Sequence, residues 1–166
     1  MNLRVPPAVE RLADRLHPKL TPFEQVRERH TLVVKRIEAD TWREGRGGVR
    51  ERLRRVLDGT EPFPVRIDDV DYFADPPDGR GPVVYLTVES EGIQQLHRRL
   101  CREFPVVEDL EAENYVPHVT LARGGSVADA ERVAGTEIEP VEWTAQRALT
   151  WDREHREAVD RFRLRG

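Results

Sequence analysis

The chain has 166 residues, of which 38% are hydrophobic and 35% are charged, and its formal net charge is -4. This composition excludes a disordered or fibrous protein, and the negative charge argues against a protein that binds duplex DNA. No apolar run approaches the roughly 18 residues of a membrane span. We therefore expect one domain over residues 1–166, in which two small lobes can share a core.

The N-terminus and the cysteine content predict a cytoplasmic protein. Residues 1–7 lack the apolar core of a signal peptide. Cys101 is the single cysteine, which excludes an internal disulfide framework and a cysteine-rich zinc site. The sequence also offers no convincing metal-ligand spacing, so we expect no metal and no cofactor. We further expect no membrane partner, and a monomer by default.

In the first half of the chain, apolar spacing predicts two helices. The first covers residues 6–20, and the second follows a glycine-rich loop at 45–48 and stops at Gly59. Residues 29–36 are rich in β-branched side chains and predict a strand, and residues 65–67 predict another. The segment 75–82 is rich in proline and glycine and predicts a loop.

The second half begins with a predicted strand over 83–89. Ser90 is placed to cap a third helix, and Ser126 to cap a short fourth helix that Gly135 closes. Between these helices lies a predicted strand over 115–123. Predicted strands over 141–151 and 159–165 flank the polar turn 152–155 and form a hairpin. This mixture of helices and strands, with connections that suit antiparallel pairing, predicts the α+β class.

The strand over 115–123 combines a core face with a polar face. Val119 and Leu121 point to one side and His118 and Thr120 to the other, because successive side chains on a strand alternate. A histidine can transfer a proton, and a nearby hydroxyl can bind an oxyanion. The polar face is therefore a candidate half of a catalytic site.

A second strand containing His, Thr and Leu occurs in the first half of the chain, at His30, Thr31 and Leu32. Each strand is followed by a helix and further strands, which indicates an approximate internal repeat. Two equivalent lobes would bring the two strands together across a cleft. Paired histidines can then act as base and acid in turn, each worth about 10² to 10⁴-fold in rate, and no metal is needed.

The string Pro117-His118-Val119-Thr120-Leu121 resembles the signature of the 2H phosphoesterase superfamily, also called the 2′-5′ RNA ligase-like family. The resemblance implies a two-lobed fold with mostly antiparallel sheets, outer helices and an active-site cleft between the lobes. It also implies a metal-independent phosphoesterase acting on a 2′,3′-cyclic phosphate or a 2′-5′ phosphodiester of RNA ends or nucleotides. The catalytic residues that it implies are His30, His118, Thr31 and Thr120.

The first motif departs from the His-x-Thr pattern of this family. If Thr31 is aligned with Thr120, the histidine position is occupied by Arg29, which stays protonated and is a poor proton donor. If His30 is aligned with His118, a bulge is needed to turn it into the cleft. We favour His30 in the site. The alternative function is a degenerate member that binds RNA ends or nucleotides without turnover.

Further residues are candidates for substrate binding. Basic side chains that surround the two motif strands can steer a phosphate despite the negative total charge: Arg27, Arg29, Lys35, Arg36 and Arg123. They can equally be charges that protect a strand edge. Tyr115 can border the cleft and stack on a base, or be an ordinary core tyrosine. The remaining histidines are expected at the surface: His17, His97 and His155.

Overall fold

The computed structural model of the protein describes residues 1–43, 45–152 and 157–166. The helices are α1 (Pro7–Leu16), α2 (Ala39–Arg43), α3 (Arg46–Leu57), α4 (Glu91–Glu103) and α5 (Val127–Ala134). The strands are β1 (Asn2–Leu3), β2 (Gln25–Val26), β3 (Leu32–Val33), β4 (Phe63–Ile67), β5 (Val70–Phe73), β6 (Val83–Thr87), β7 (His118–Arg123), β8 (Val141–Ala145), β9 (Arg147–Asp152) and β10 (Glu157–Arg163). None of the helices in these ranges has the length and apolarity that a membrane crossing needs.

Two helices begin at the predicted serine caps. The Ser90 hydroxyl accepts a hydrogen bond from the Ile93 N–H at 3.3 Å, where α4 begins. Ser126 accepts one from the Asp129 N–H at 3.1 Å, where α5 begins. A side-chain oxygen at this position satisfies a backbone N–H that has no partner within the helix, so both caps are confirmed.

The strand pairings recorded within the described ranges are all antiparallel. A large sheet has the order β10-β9-β1-β3-β7-β6-β5, with β2 also paired to β7, and a small sheet consists of β4 and β8. The predicted α+β class with mostly antiparallel sheets is confirmed. Strand β3, which directly follows His30 and Thr31, and strand β7, which carries His118 and Thr120, are direct neighbours near the middle of the large sheet.

The two faces of the large sheet differ in burial. A row of buried residues runs across four neighbouring strands: Ala148, Leu3, Leu32 and Val119. This row belongs to the hydrophobic core, together with the buried residues of α1, α3 and α4. His118 and Thr120 flank Val119 and point to the opposite side, because side chains alternate along a strand. We call this opposite side the open face.

Several strand boundaries differ from the sequence predictions. Strands β1 and β2 have two residues each and β5 has four, which is too short for an alternating pattern to be seen. The single strand predicted over 141–151 is two strands, because β8 pairs with β4 whereas β9 pairs with β1. The first helix ends at Leu16, since Pro18 has no backbone N–H to continue it.

The predicted strand over 29–36 is reduced to β3. The Arg27 N–H donates to the Leu121 carbonyl at 2.8 Å, whereas Leu32 is paired with Val119. Residues 28–31 therefore form an irregular, bulge-like excursion opposite Thr120, outside the regular pairing of β3 and β7. This excursion contains both residues that compete for the histidine position of the first motif, Arg29 and His30.

The histidines outside the motifs have different environments. His17 is exposed, as predicted. His97 is wholly buried instead of exposed: its Nδ1–H donates to the Val34 carbonyl at 2.7 Å, and its Nε2 accepts from the Ala112 N–H at 2.9 Å. Two backbone partners satisfy the ring, so burial is compatible with a neutral imidazole. His155 and the turn residues 153–154 lie outside the described residues.

Candidate active site

His118 is half-buried on the open face at the start of β7. Two aromatic rings border its imidazole: Tyr85 on the adjacent strand β6, at 5.2 Å between ring centroids, and Phe73 on β5, the next strand of the sheet, at 5.3 Å. These rings stack on each other at 4.3 Å, and the Tyr85 hydroxyl donates to the Asp71 carboxylate at 3.3 Å. The histidine is therefore bordered on one side by the stacked rings of Phe73 and Tyr85, which we call the aromatic wall.

The protonation state of His118 follows from its contacts. Its Nδ1 lies 2.7 Å from the Val116 carbonyl, which can only accept, so the proton is on Nδ1 and Nε2 carries a free lone pair. Burial lowers the pKa of His118, and the charges of Arg36 and Arg123 lower it further, although the bond to Val116 acts in the opposite direction. A neutral imidazole with a free Nε2 is suited to act as a base.

Thr120 and Arg123 lie near His118 on the same strand. Thr120 is half-buried and is paired with Tyr85, and its hydroxyl has no hydrogen-bond partner among the described residues. Arg123 donates from Nη1 to the Asp78 carbonyl at 2.6 Å. The loop approaches so closely at Gly79, where φ is +78°, that an added Cβ would collide with Arg123 Nη1. These contacts fix the arginine at the end of β7.

His30 points away from the open face. Its Nδ1 lies 2.6 Å from the Glu10 carboxylate on α1, and 6% of its side chain is exposed. Helix α1 packs on the core side of the sheet through Val9, Leu12 and Leu16. The structure thus does not bring His30 together with His118, although the sequence analysis favoured that placement. The irregular excursion over 28–31 turns the histidine to the helix rather than to the cleft.

Arg29, unlike His30, lies on the open face of the sheet. Its guanidinium carbon is 4.6 Å from the centre of the Trp151 ring, an arrangement in which the cation is attracted to the ring face. Trp151 alternates with the buried Thr150 on β9 and therefore belongs to the open face. Thr31 is half-buried and directly precedes the core residue Leu32. At the first motif, arginine instead of histidine is presented to the open face.

Two of the predicted substrate-binding residues are inside the protein. Lys35 is wholly buried, and its ammonium group donates to the Arg36 and Pro105 carbonyls and to Glu111. Tyr115 is 8% exposed, stacks on His97 at 3.7 Å and donates its hydroxyl to the Val33 carbonyl at 2.8 Å. Neither side chain reaches the open face, because each is enclosed inside the protein by a partner: Glu111 pairs with Lys35, and His97 stacks on Tyr115.

The aromatic wall was not identified in the sequence analysis. A signal for Tyr85 exists, because it stands between the apolar residues Val84 and Leu86 in the predicted strand over 83–89, so alternation places its ring on the face opposite to theirs. Phe73 lies on β5, which is too short to be predicted. The side chains that such a short strand contributes to a site can be identified only when its pairing with the neighbouring strand is known.

Comparisons with known proteins give a consistent result. A family model described as the 2′-5′ RNA ligase superfamily matches residues 6–157. The crystal structure of TT0787 of Thermus thermophilus is similar with a TM-score of 0.66 and 19% identity, over 99% of this chain and 96% of that chain. A crystal structure described as a phosphoesterase has a TM-score of 0.56 and 17% identity, over 98% of this chain and 95% of that chain. No curated protein sequence matches the chain.

Proposed function

The chain belongs to the 2′-5′ RNA ligase superfamily, and on this premise we propose that it is a metal-independent phosphoesterase acting on RNA ends or nucleotides. Its substrate would carry a 2′,3′-cyclic phosphate or a 2′-5′ phosphodiester. The observation that carries the proposal is His118, whose Nδ1 is bonded to the Val116 carbonyl, so that the Nε2 lone pair is free, and whose side chain shares the open face with that of Thr120. The bond that it makes through Nδ1 fixes the tautomer that a base requires.

In the proposed reaction, a water molecule attacks the phosphorus of the cyclic phosphate while His118 Nε2 takes its proton. The new bond is from the water oxygen to phosphorus, and the bond that breaks joins phosphorus to one ribose oxygen. That oxygen takes a proton from solvent, and the imidazolium returns its proton to solvent. Thr120 and the cationic side chains nearby stabilise the charge on the non-bridging oxygens. No step requires a metal ion or a cofactor.

The geometry also favours a second candidate function, binding without turnover. Within the described part of the chain, the first motif presents Arg29 to the open face, and a guanidinium can bind a phosphate bidentately but cannot give up a proton. A site that has a base for the attacking water but no acid for the leaving oxygen catalyses hydrolysis slowly or only binds its ligand. The same residues, His118, Thr120 and Arg29, would then hold the phosphate of an RNA end.

The proposal is tested with the purified protein and a 2′,3′-cyclic nucleotide in the presence of a chelator. We expect turnover, which His30→Gln changes by less than about twofold, because His30 faces α1 and glutamine can still bond to Glu10. Arg29→Ala is expected to weaken substrate binding by about tenfold or more, the usual effect of losing a charged hydrogen bond.

Three outcomes separate the candidates. Chelator-resistant turnover with the expected behaviour of both variants supports the enzyme. Absence of turnover in the wild type, with phosphate-dependent binding that Arg29→Ala abolishes, supports the binding protein. Loss of turnover in His30→Gln with binding intact would contradict the placement of His30 and restore the two-histidine mechanism.

A further inference from the structure

Glu10 holds His30 on the core side of the large sheet. His30 Nδ1 lies 2.6 Å from the Glu10 carboxylate, and because an ionised carboxylate only accepts hydrogen bonds, the imidazole is the donor. The histidine side chain is buried, whereas Glu10 is half-buried. Among the described residues, Glu10 is the one hydrogen-bond partner of this imidazole. The orientation of His30 therefore depends on the Glu10 carboxylate, because a buried polar group that loses its partner is destabilising.

Glu10 stands on a helix that is firmly packed. Val9, Leu12 and Leu16 of α1 are each at most 3% exposed and belong to the hydrophobic core. Glu10 lies in the first turn of this helix, where a carboxylate also interacts favourably with the unpaired backbone N–H groups. A side chain on a packed helix is held more accurately than one on a loop. The fold thus sets the position of the carboxylate, and the excursion over 28–31 follows it.

The excursion over 28–31 couples His30 to Arg29. Its residues stand opposite Thr120, so no regular pairing with β7 determines which way their side chains turn. The two neighbours take opposite sides: His30 turns toward α1, and the guanidinium carbon of Arg29 lies 4.6 Å from the centre of the Trp151 ring. Both ends of the excursion are anchored on β7. A rotation that releases His30 from α1 therefore also carries Arg29 away from the open face.

The direction of the excursion decides which charge the open face presents. Arg29 is always protonated and can bind a phosphate through two N–H groups, whereas an imidazole in its place carries a charge only when it is protonated. His118 and Thr120, the other groups that we assign to the phosphate, share this face. The bond between Glu10 and His30 thus lies outside the site and yet determines a cation within it.

We propose that Glu10 is a positioning residue of the phosphate site: by binding His30 on the core side of the sheet, it keeps Arg29 on the open face. Glu10 does not touch the ligand and acts through the histidine and the excursion. His30 in turn serves to orient its neighbour instead of transferring a proton. The inference rests on the proposed function in one respect, because it takes Arg29 to contact a phosphate, and it does not require turnover.

The test measures the Kd of inorganic phosphate by calorimetry, with a chelator present. Glu10→Met has a side chain of similar length and helix preference but no oxygen to accept from His30. We expect it to weaken phosphate binding by about fivefold or more, toward the loss in Arg29→Ala, since a charged hydrogen bond to the ligand is lost. In the Arg29→Ala background, Glu10→Met should change the Kd by less than about twofold, because the two residues act as one unit.

Two conservative variants separate positioning from charge. Glu10→Gln retains an oxygen that can accept from His30 Nδ1–H and should bind phosphate within about twofold of the wild type. Glu10→Asp retains the charge in a shorter side chain that does not reach His30, and it should bind phosphate more weakly than Glu10→Gln. A purely electrostatic role of the carboxylate predicts the reverse order. This ranking also tests the proposal if Glu10→Met does not fold.

Asp14→Ala is the matched control, because Asp14 is an exposed carboxylate one turn further along α1. It should leave the phosphate Kd unchanged, and circular dichroism establishes that each variant folds. The proposal is overturned by wild-type affinity in Glu10→Met or in Arg29→Ala, by equal effects of Glu10→Met with and without Arg29, or by tighter binding in Glu10→Asp than in Glu10→Gln. If cyclic phosphates are not hydrolysed but the Arg29-dependent effect of Glu10→Met is present, the proposed catalysis fails and the positioning role stands.

Discussion

Replacement of His118 by asparagine is expected to lower kcat/KM for 2′,3′-cyclic phosphates by about 10² to 10⁴-fold, the usual contribution of a positioned general base. The asparagine amide can still donate to the Val116 carbonyl, as the imidazole does now, so the local structure is preserved. What is lost is the Nε2 lone pair that accepts the proton of the attacking water. The measurement is steady-state hydrolysis by wild type and variant, with chelator present in both.

The matched control for this prediction is His17→Asn. His17 is exposed next to the end of α1, so its replacement should change kcat/KM by less than about twofold. Circular dichroism of both variants establishes that they fold. If His118→Asn retains the activity of the wild type, another residue supplies the base, and the assignment of the open face as the active site fails.

The largest expected effect on stability comes from Glu111. The change Glu111→Gln leaves the Lys35 ammonium group buried without a counter-charge, and removal of one partner of a buried ion pair typically costs about 3 to 5 kcal/mol. The carboxylate also accepts from the backbone N–H groups of Arg36 and Val107, at 2.7 and 3.0 Å. Denaturant unfolding should show this loss as a lower free energy of unfolding.

Two comparisons make the Glu111 prediction specific. Glu113→Gln, on the exposed 3-10 turn nearby, is expected to change the free energy of unfolding by less than about 0.5 kcal/mol. The double variant Lys35→Met/Glu111→Leu should recover only part of the loss. Its apolar side chains remove the unpaired charge but leave the backbone groups of Arg36, Pro105 and Val107 without partners. A cost below about 1 kcal/mol for Glu111→Gln would contradict the structural role of the pair.

The elements that could be predicted from the sequence are those with strong local signals. Helices α4 and α5 begin at serine caps, and β7 alternates between apolar and polar residues from His118 to Leu121. Such signals depend on neighbours a few residues away, which the sequence displays directly. The placement of His118 and Thr120 on one face follows from this alternation alone.

Which residue of the first motif faces the open side of the sheet, Arg29 or His30, could not be predicted in this way. His30 is turned to α1 by Glu10, and Arg29 is turned to the other side by Trp151, which lies far along the chain. Two adjacent residues can exchange faces when pairing is interrupted, and the interruption at 28–31 is set by the register of β2 and β3 on β7. The local sequence around Arg29 and His30 does not show this register, so it cannot decide which of the two side chains faces the open side.

The burial of Lys35 and Tyr115 has a similar origin. Lysine and tyrosine next to a motif strand suggest phosphate and base contacts, but each has a partner from a separate segment. Glu111 pairs with Lys35, and His97 stacks on Tyr115. A buried lysine is rare unless it is paired, and the paired carboxylate is distant in sequence. The pair that keeps Lys35 inside the protein also bonds to the backbone N–H and carbonyl of Arg36.

The dependence of kcat/KM on pH tests most directly whether His118 works without a second histidine. Burial and two arginines lower the pKa of His118 below its ordinary 6.5, so the active neutral form persists to lower pH. We predict one decline of kcat/KM on the acidic side, with a midpoint below 6.5, and a plateau through neutral and mildly alkaline pH. A bell-shaped profile, with a second decline near neutral pH, would show that a protonated group acts as the acid and would contradict the one-histidine site.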